Sequence, residues 1–144
     1  MFANLALGSL LIAITVLIQT FGLLAISSSM PHLIRRFGLH RHPLGQTVAL
    51  VKTVFGLFLV HTVEVWAWAF LFLYIGAIGD FQDALAYSTN TFSTVGGADE
   101  VIASDWRLLG SLEGVDGFLL IGWSIAYLVG ASTRYGPFRA GEHF

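Results

Sequence analysis

The sequence predicts an all-α membrane protein: three transmembrane helices, with a short re-entrant helix and loop between the second and third. Three observations carry this. Of 144 residues, 56% are hydrophobic and only 11% charged, whereas soluble domains carry about a quarter charged residues. Three apolar segments are each long enough to cross a bilayer core, which takes roughly 20 residues. The charges also sort by side, basic at one end of the segments and acidic at the other.

The first segment runs from about Leu5 to Ile26 without a charge. A signal peptide is the competing reading, with "AISSS" as a cleavage site. Against it, no Lys or Arg precedes Leu5, and the apolar run exceeds a usual signal core. A retained helix is the better reading, and Pro31 is expected to close it. "HLIRRFGLHRHPLGQ" follows, with Arg35, Arg36 and Arg41 beside His32, His40 and His42. The positive-inside rule puts this cluster in the cytoplasm and the N-terminus outside. Three histidines raise a metal site, but no carboxylate lies nearby. A basic turn touching anionic lipid headgroups is the simpler reading.

The second segment, about Thr47 to Ile78, is longer than a bilayer needs and is expected to tilt or project beyond it. Lys52 lies where it can snorkel to the cytoplasmic face. His61 and Glu64 stand near mid-depth at a spacing that lets their side chains meet. An ionisable residue in a span is a functional candidate, here a pH sensor or gating contact. The structural alternative is a hydrogen-bonded pair tying this helix to its neighbours.

The third segment runs from about Gly114 to Ala131, and Arg134 and Arg139 mark a cytoplasmic end. Glu113 and Asp116 stand at its start, either as favourable charges at a helix N-terminus or as acceptors holding the preceding loop. The sequence does not separate these. Gly114, Gly117, Gly122 and Gly130 allow close helix packing; for mid-helix Gly122 a hinge is the functional reading. Trp66, Trp68, Trp106 and Trp123 fit packing or interfacial anchoring. Three crossings give a multi-pass protein of the inner (plasma) membrane with its C-terminus in the cytoplasm. The outer region, Gly79 to Glu113, then carries Asp80, Asp83, Asp99, Glu100, Asp105 and Glu113 against Arg107 alone.

Within that region, "FQDALAYSTNTF" (Phe81 to Phe92) is a helix too short to span, with Asp83 in its first turn. "STVGGADEV" follows it. Non-helical backbone at membrane depth is tolerated only where protein buries it or it lines a water-filled cavity. A half-helix ending in a Thr-started, glycine-bearing loop is how carbonyl oxygens are presented to a permeating cation.

"TFSTVGGAD" resembles the potassium-channel pore signature, Thr-x-Thr-Thr-Val-Gly-Tyr-Gly-Asp. "SDWRLLGSLEGVDGFLLIGWSIAYLV" and "HTVEVWAWA" resemble the inner and preceding helices of small bacterial two-pore-domain-type channel proteins. The resemblance covers roughly Arg35 to Arg134. It implies a pore module of four subunits, since one loop supplies a quarter of each carbonyl ring. It also implies that Thr94, Val95, Gly96 and Gly97 replace the hydration shell of K+ or Na+, and that Ala98 and Asp99 sit at the outer mouth. Two departures weaken selectivity. Gly97 replaces the family's bracing Tyr, and Ala98 replaces a glycine, where a left-handed backbone costs about 1–2 kcal/mol.

The domain plan is therefore an N-terminal transmembrane helix (1–30), a basic cytoplasmic loop (31–46) and a pore module (47–144). The expected function is a homotetrameric, weakly selective cation channel surrounded by lipid. The alternative is a non-conducting accessory subunit of a larger membrane complex that keeps the pore fold. No enzyme is expected, because no nucleotide loop, triad or zinc spacing occurs. Nor is a cofactor or a metal beyond the permeant ion. Net charge −2 gives no case for nucleic acid.

Overall fold

The computed structural model describes residues 1–37, 43–96 and 100–135, with side chains for 1–30, 44–96 and 100–134. Four helices account for most of it: α1 (Phe2–Phe37), α2 (Pro43–Tyr74), α3 (Phe81–Phe92) and α4 (Arg107–Tyr135), the last entered through a single 3₁₀ turn at Ser104–Trp106. Three stretches are long and apolar enough to cross a membrane: Phe2–Met30, Leu44–Tyr74 and Ser104–Arg134. The chain is a multi-pass membrane protein.

Two expectations about boundaries are corrected. Pro31 does not close α1, which continues to Phe37. A proline there removes only the bond to the Ser27 carbonyl. Membrane helices tolerate the loss of one such bond. Helix therefore takes up both ends of the expected 31–46 loop. Residues 38–42, with His40, Arg41 and His42, lie outside the described residues, as do the side chains of His32, Arg35 and Arg36 and all of Arg139. The last helix likewise starts at Arg107, not near Gly114.

Contacts fix the directions of the helices. Lys52 Nζ donates to Ser29 Oγ at 2.9 Å, Gly56 abuts Ile26, and Gly22 abuts Val60. As one number rises the other falls, so α1 and α2 are antiparallel. Along α1 and α4 the numbers rise together: Asn4 Nδ2 reaches Asp105 O at 3.0 Å, Thr15 Oγ1 reaches Asp116 Oδ2 at 2.8 Å, and Gln19 Nε2 reaches Leu120 O at 3.3 Å. Each pair is separated by 101 residues. The two helices run parallel in fixed register. This is the geometry three crossings demand.

The larger core gathers around α3. Trp68, Phe72, Ala84, Tyr87, Phe92, Leu109 and Leu120 are all buried. A second cluster of Leu23, Ile26, Met30, Ala49 and Leu57 packs against Tyr127 and Leu128 at the opposite end of the bundle. Outward-facing Phe55, Phe58, Leu59, Phe118 and Leu119 are exposed on the single chain, as lipid-facing residues should be.

Candidate functional site

α3 descends into the bundle and the chain returns. Its start is capped by Asp80, whose carboxylate accepts from the amides of Gln82 and Asp83. Asp83 lies in the first turn as expected, but Asp80 makes the capping bonds. Phe81 packs on Trp66 and Phe70 of α2 at ring separations of 5.9 and 5.5 Å. At the far end, Phe92 packs on His61 at 5.8 Å, near the middle of α2. A helix of 12 residues is about 18 Å long, somewhat over half of a ~30 Å hydrocarbon core. By Ala103 the chain is back at the end of α2, where its amide donates to Ala77 O at 3.0 Å.

Glycines on α4 form the seat. A side-chain carbon at Gly110 would strike the Tyr87 hydroxyl, and one at Gly117 would strike the backbone carbonyl of Phe92. Gly114 lies 3.7 Å from Thr91 O, measured from the same hypothetical position. The packing reading therefore holds for Gly114 and Gly117. Within the described single chain, Gly122 and Gly130 meet nothing within 4 Å.

Three buried carboxylates lock the seat from behind. Ser88 of α3 hydrogen-bonds Glu113 of α4 and donates to Val65 O of α2 at 2.9 Å, so one hydroxyl joins three helices. Asp116 Oδ2 accepts from Thr15 of α1 at 2.8 Å and from Trp68 Nε1 of α2 at 3.0 Å. Glu64 Oε2 lies 2.7 Å from His61 Nδ1. Glu64 and Glu113 are fully buried. Since α4 begins at Arg107, Glu113 and Asp116 stand in its second and third turns. They hydrogen-bond across helices and do not act as N-terminal charges. Their partners lie on α3, α1 and α2 and not on the loop that the second reading had them hold.

The loop after α3 folds back on the helix. Thr94 N donates to Thr91 O at 3.0 Å, Val95 N to Asn90 O at 2.9 Å and Gly96 N to Asn90 O at 3.1 Å. This is a Schellman closure, which needs a left-handed residue after the helix. Thr94 supplies it at φ 62°. At the end of α2 the same pattern is closed by Gly76 at φ 69°. A β-branched residue in that conformation is an outlier, and such strain concentrates at functional positions. Gly96 is left-handed too, at φ 68°. The amides of residues 94–96 thus point back toward α3. Among the described residues, no donor engages the carbonyls of Thr94, Val95 or Gly96. Val95 is 76% exposed. Gly97, Ala98 and Asp99 lie outside the described residues.

Beside the loop, a cleft of about 230 Å³ opens between α3 and the first turns of α4, with Thr91, Thr94, Arg107 and Ser111 on its walls. Exposed Asp80, Asp83, Glu100 and Asp105 surround this end of the bundle. Among the described residues, no group of three or more His, Asp or Glu side chains stands close enough to hold a metal ion.

Sequence reasoning missed Ser88, Thr15, Gln19, Asn4 and the bond of Trp68. For α1 a signal existed. Positions 4, 15 and 19 return to nearly one face of a helix, a polar stripe inside a charge-free apolar run.

Three helices long and apolar enough to span a membrane, with a short helix packed among them, define a multi-pass all-α membrane protein. A family described as Ion channel matches residues 58–134, just over half of the chain, and the chain belongs to that family. Membership makes it a channel protein and not an enzyme. The match spans the second half of α2, all of α3 and the loop, and α4 up to Arg134; α1 lies outside it. No curated protein and no solved structure matches the chain.

Proposed function

We propose that four copies of this chain form a cation channel of the potassium-channel pore type, with α3 as the pore helix. Ions pass along the loop from Thr94 to Gly97, Ala98 and Asp99 stand at the outer mouth, and discrimination between K+ and Na+ is weak. The observation that carries this is the orientation of the loop. Its amides are spent on the α3 terminus, while among the described residues no backbone donor engages the carbonyls of Thr94, Val95 and Gly96, which follow the end of α3 that packs on His61 near the middle of α2. Oxygens in that position can replace an ion's hydration shell when copies surround a common axis. The C-terminal end of α3, the negative end of its dipole, also favours a cation there. Exposed Val95 supports assembly, since neighbouring copies would cover it.

The pore module begins with α2, and α1 is an added helix. The N-terminus lies outside and the C-terminus in the cytoplasm, with the acidic end of the bundle facing out. Ion flux into liposomes containing purified protein tests the proposal. Cation uptake above empty liposomes is expected. Its absence, with the protein found in less than fourfold stoichiometry in a larger complex, would favour an accessory subunit that keeps the fold without conducting.

A further inference from the structure

α1 lies outside the family match, yet it is bound to α4 more specifically than an anchor requires. One of its polar contacts with α4 is made by Gln19, fully buried. Gln19 Nε2 donates to Leu120 O at 3.3 Å and to Ser124 Oγ at 2.7 Å. The Leu120 carbonyl can only accept, which fixes the nitrogen on that side, and the amide spends both of its hydrogens on α4. Leu120 and Ser124 are one helical turn apart, and Gly122 stands between them. Gly122 is exposed on the opposite side of the helix and meets nothing within 4 Å. Glycine in a helix interior is the least restrained residue available. One amide therefore bridges the point where α4 is weakest.

We infer that Gln19 is a positioning residue that splints α4 across Gly122 and thereby restrains opening of the channel. A bend that carries the C-terminal half of α4 away from α1 must break the bond to Leu120 or to Ser124. A bend toward α1 is blocked, because Tyr127 and Leu128 already pack on the cluster of Leu23, Ile26 and Met30. Above Gly122 the helix is held independently, by Thr15 on Asp116 and by Ser88 on Glu113. Releasing Gln19 therefore removes this polar restraint on the lower half of α4, leaving the apolar contact of Tyr127 and Leu128, without unseating α3. The gating consequence rests on the proposed channel function; the splint itself does not.

The test measures the two separately. Spin labels on exposed Leu24 and Val129 report the spread of distances between α1 and the lower half of α4, with labelled chains diluted among unlabelled ones in liposomes. Gln19→Leu should broaden the distribution, and adding Gly122→Ala should narrow it again. Ser124→Ala, which leaves α1 intact, should broaden it partially, and it serves if Gln19→Leu does not fold. Cation flux through Gln19→Leu should rise roughly three- to tenfold, the scale of one or two interhelical hydrogen bonds in a membrane. An unchanged distribution in both variants, or broadening that Gly122→Ala does not reverse, would overturn the splint. A broadened distribution with unchanged flux would overturn its gating role. Broadening with no flux in either protein would keep the splint and sink the channel function.

Discussion

Ser88 of α3 hydrogen-bonds Glu113 of α4, and neither side chain is exposed. This pair holds the short helix against the long one, and Ser88 also reaches Val65 O on α2. Removing the hydroxyl leaves the carboxylate of Glu113 without any hydrogen-bond partner in the described structure, since its other oxygen already has none. Ser88→Ala should therefore destabilise the assembled protein by about 1–3 kcal/mol, the cost of an unsatisfied buried polar group. Glu113→Gln, which keeps a polar partner for the Ser88 hydroxyl, should cost less. Thermal unfolding followed by fluorescence-detected gel filtration checks the order. Equal stability of the Ser88→Ala and wild-type proteins would show that the pair does not hold α3.

The second prediction concerns His61 and Glu64, 2.7 Å apart on α2. Glu64→Gln keeps the shape of the side chain and an acceptor for the imidazole. Glu64→Leu strands the His61 ring, which also packs on Phe92 of α3. Leu should cost about 1–3 kcal/mol and Gln clearly less, measured by the same unfolding assay. Equal tolerance would mean that the pair contributes nothing to the seat of α3.

Two glycines of α4 should respond in opposite ways. A methyl group at Gly117 collides with the Phe92 carbonyl, and backbone yields less easily than a side chain. Gly117→Ala should destabilise by about 1–3 kcal/mol, the usual range for overpacking. A methyl group at Gly122 meets nothing within 4 Å, so Gly122→Ala should stabilise by up to about 1 kcal/mol through helix propensity. Stabilisation by both changes would contradict the packing of α3 on α4.

How far the sequence alone carries is clear from these residues. α3 was legible to both ends, because Gly79-Asp80 and the Gly96-Gly97 pair punctuate it. His61 and Glu64 were legible because helical spacing brings them together. The start of α4 was not. Gly110, Glu113, Gly114, Asp116 and Gly117 look like a helix entrance, whereas their role is to receive α3 and the polar groups of α1 and α2. Pro31 misled because a membrane helix can continue through a single missing donor. The bonds of Thr15 and Gln19 to α4 join residues about 101 positions apart. A single sequence shows the polar stripe but not which helix receives it.

Topology gives a further prediction. The chain contains no cysteine, so a single cysteine at exposed Asp105 provides a clean label site. An impermeant thiol reagent added outside intact cells should modify it. Modification only after access to the cytoplasmic face would invert the orientation and with it the outer mouth.

The central claim is conduction of cations, weakly selected, through the loop that follows α3. Discrimination between K+ and Na+ needs several successive oxygen rings held near the dehydrated size of the ion. In the proposed pore, Gly97 in place of a bracing Tyr and Ala98 in place of a Gly are expected to leave the outer carbonyls less firmly ordered. Fewer ordered rings leave the ion more of its water, and the energetic difference between the two cations shrinks. The most direct test is the reversal potential of purified protein in planar bilayers with Na+ on one side and K+ on the other. Wild-type protein should carry cation current reversing near zero, and Gly97→Tyr combined with Ala98→Gly should shift the reversal toward the K+ potential when neither change alone does. No cation current, or a wild-type current already reversing close to the K+ potential, would contradict the account.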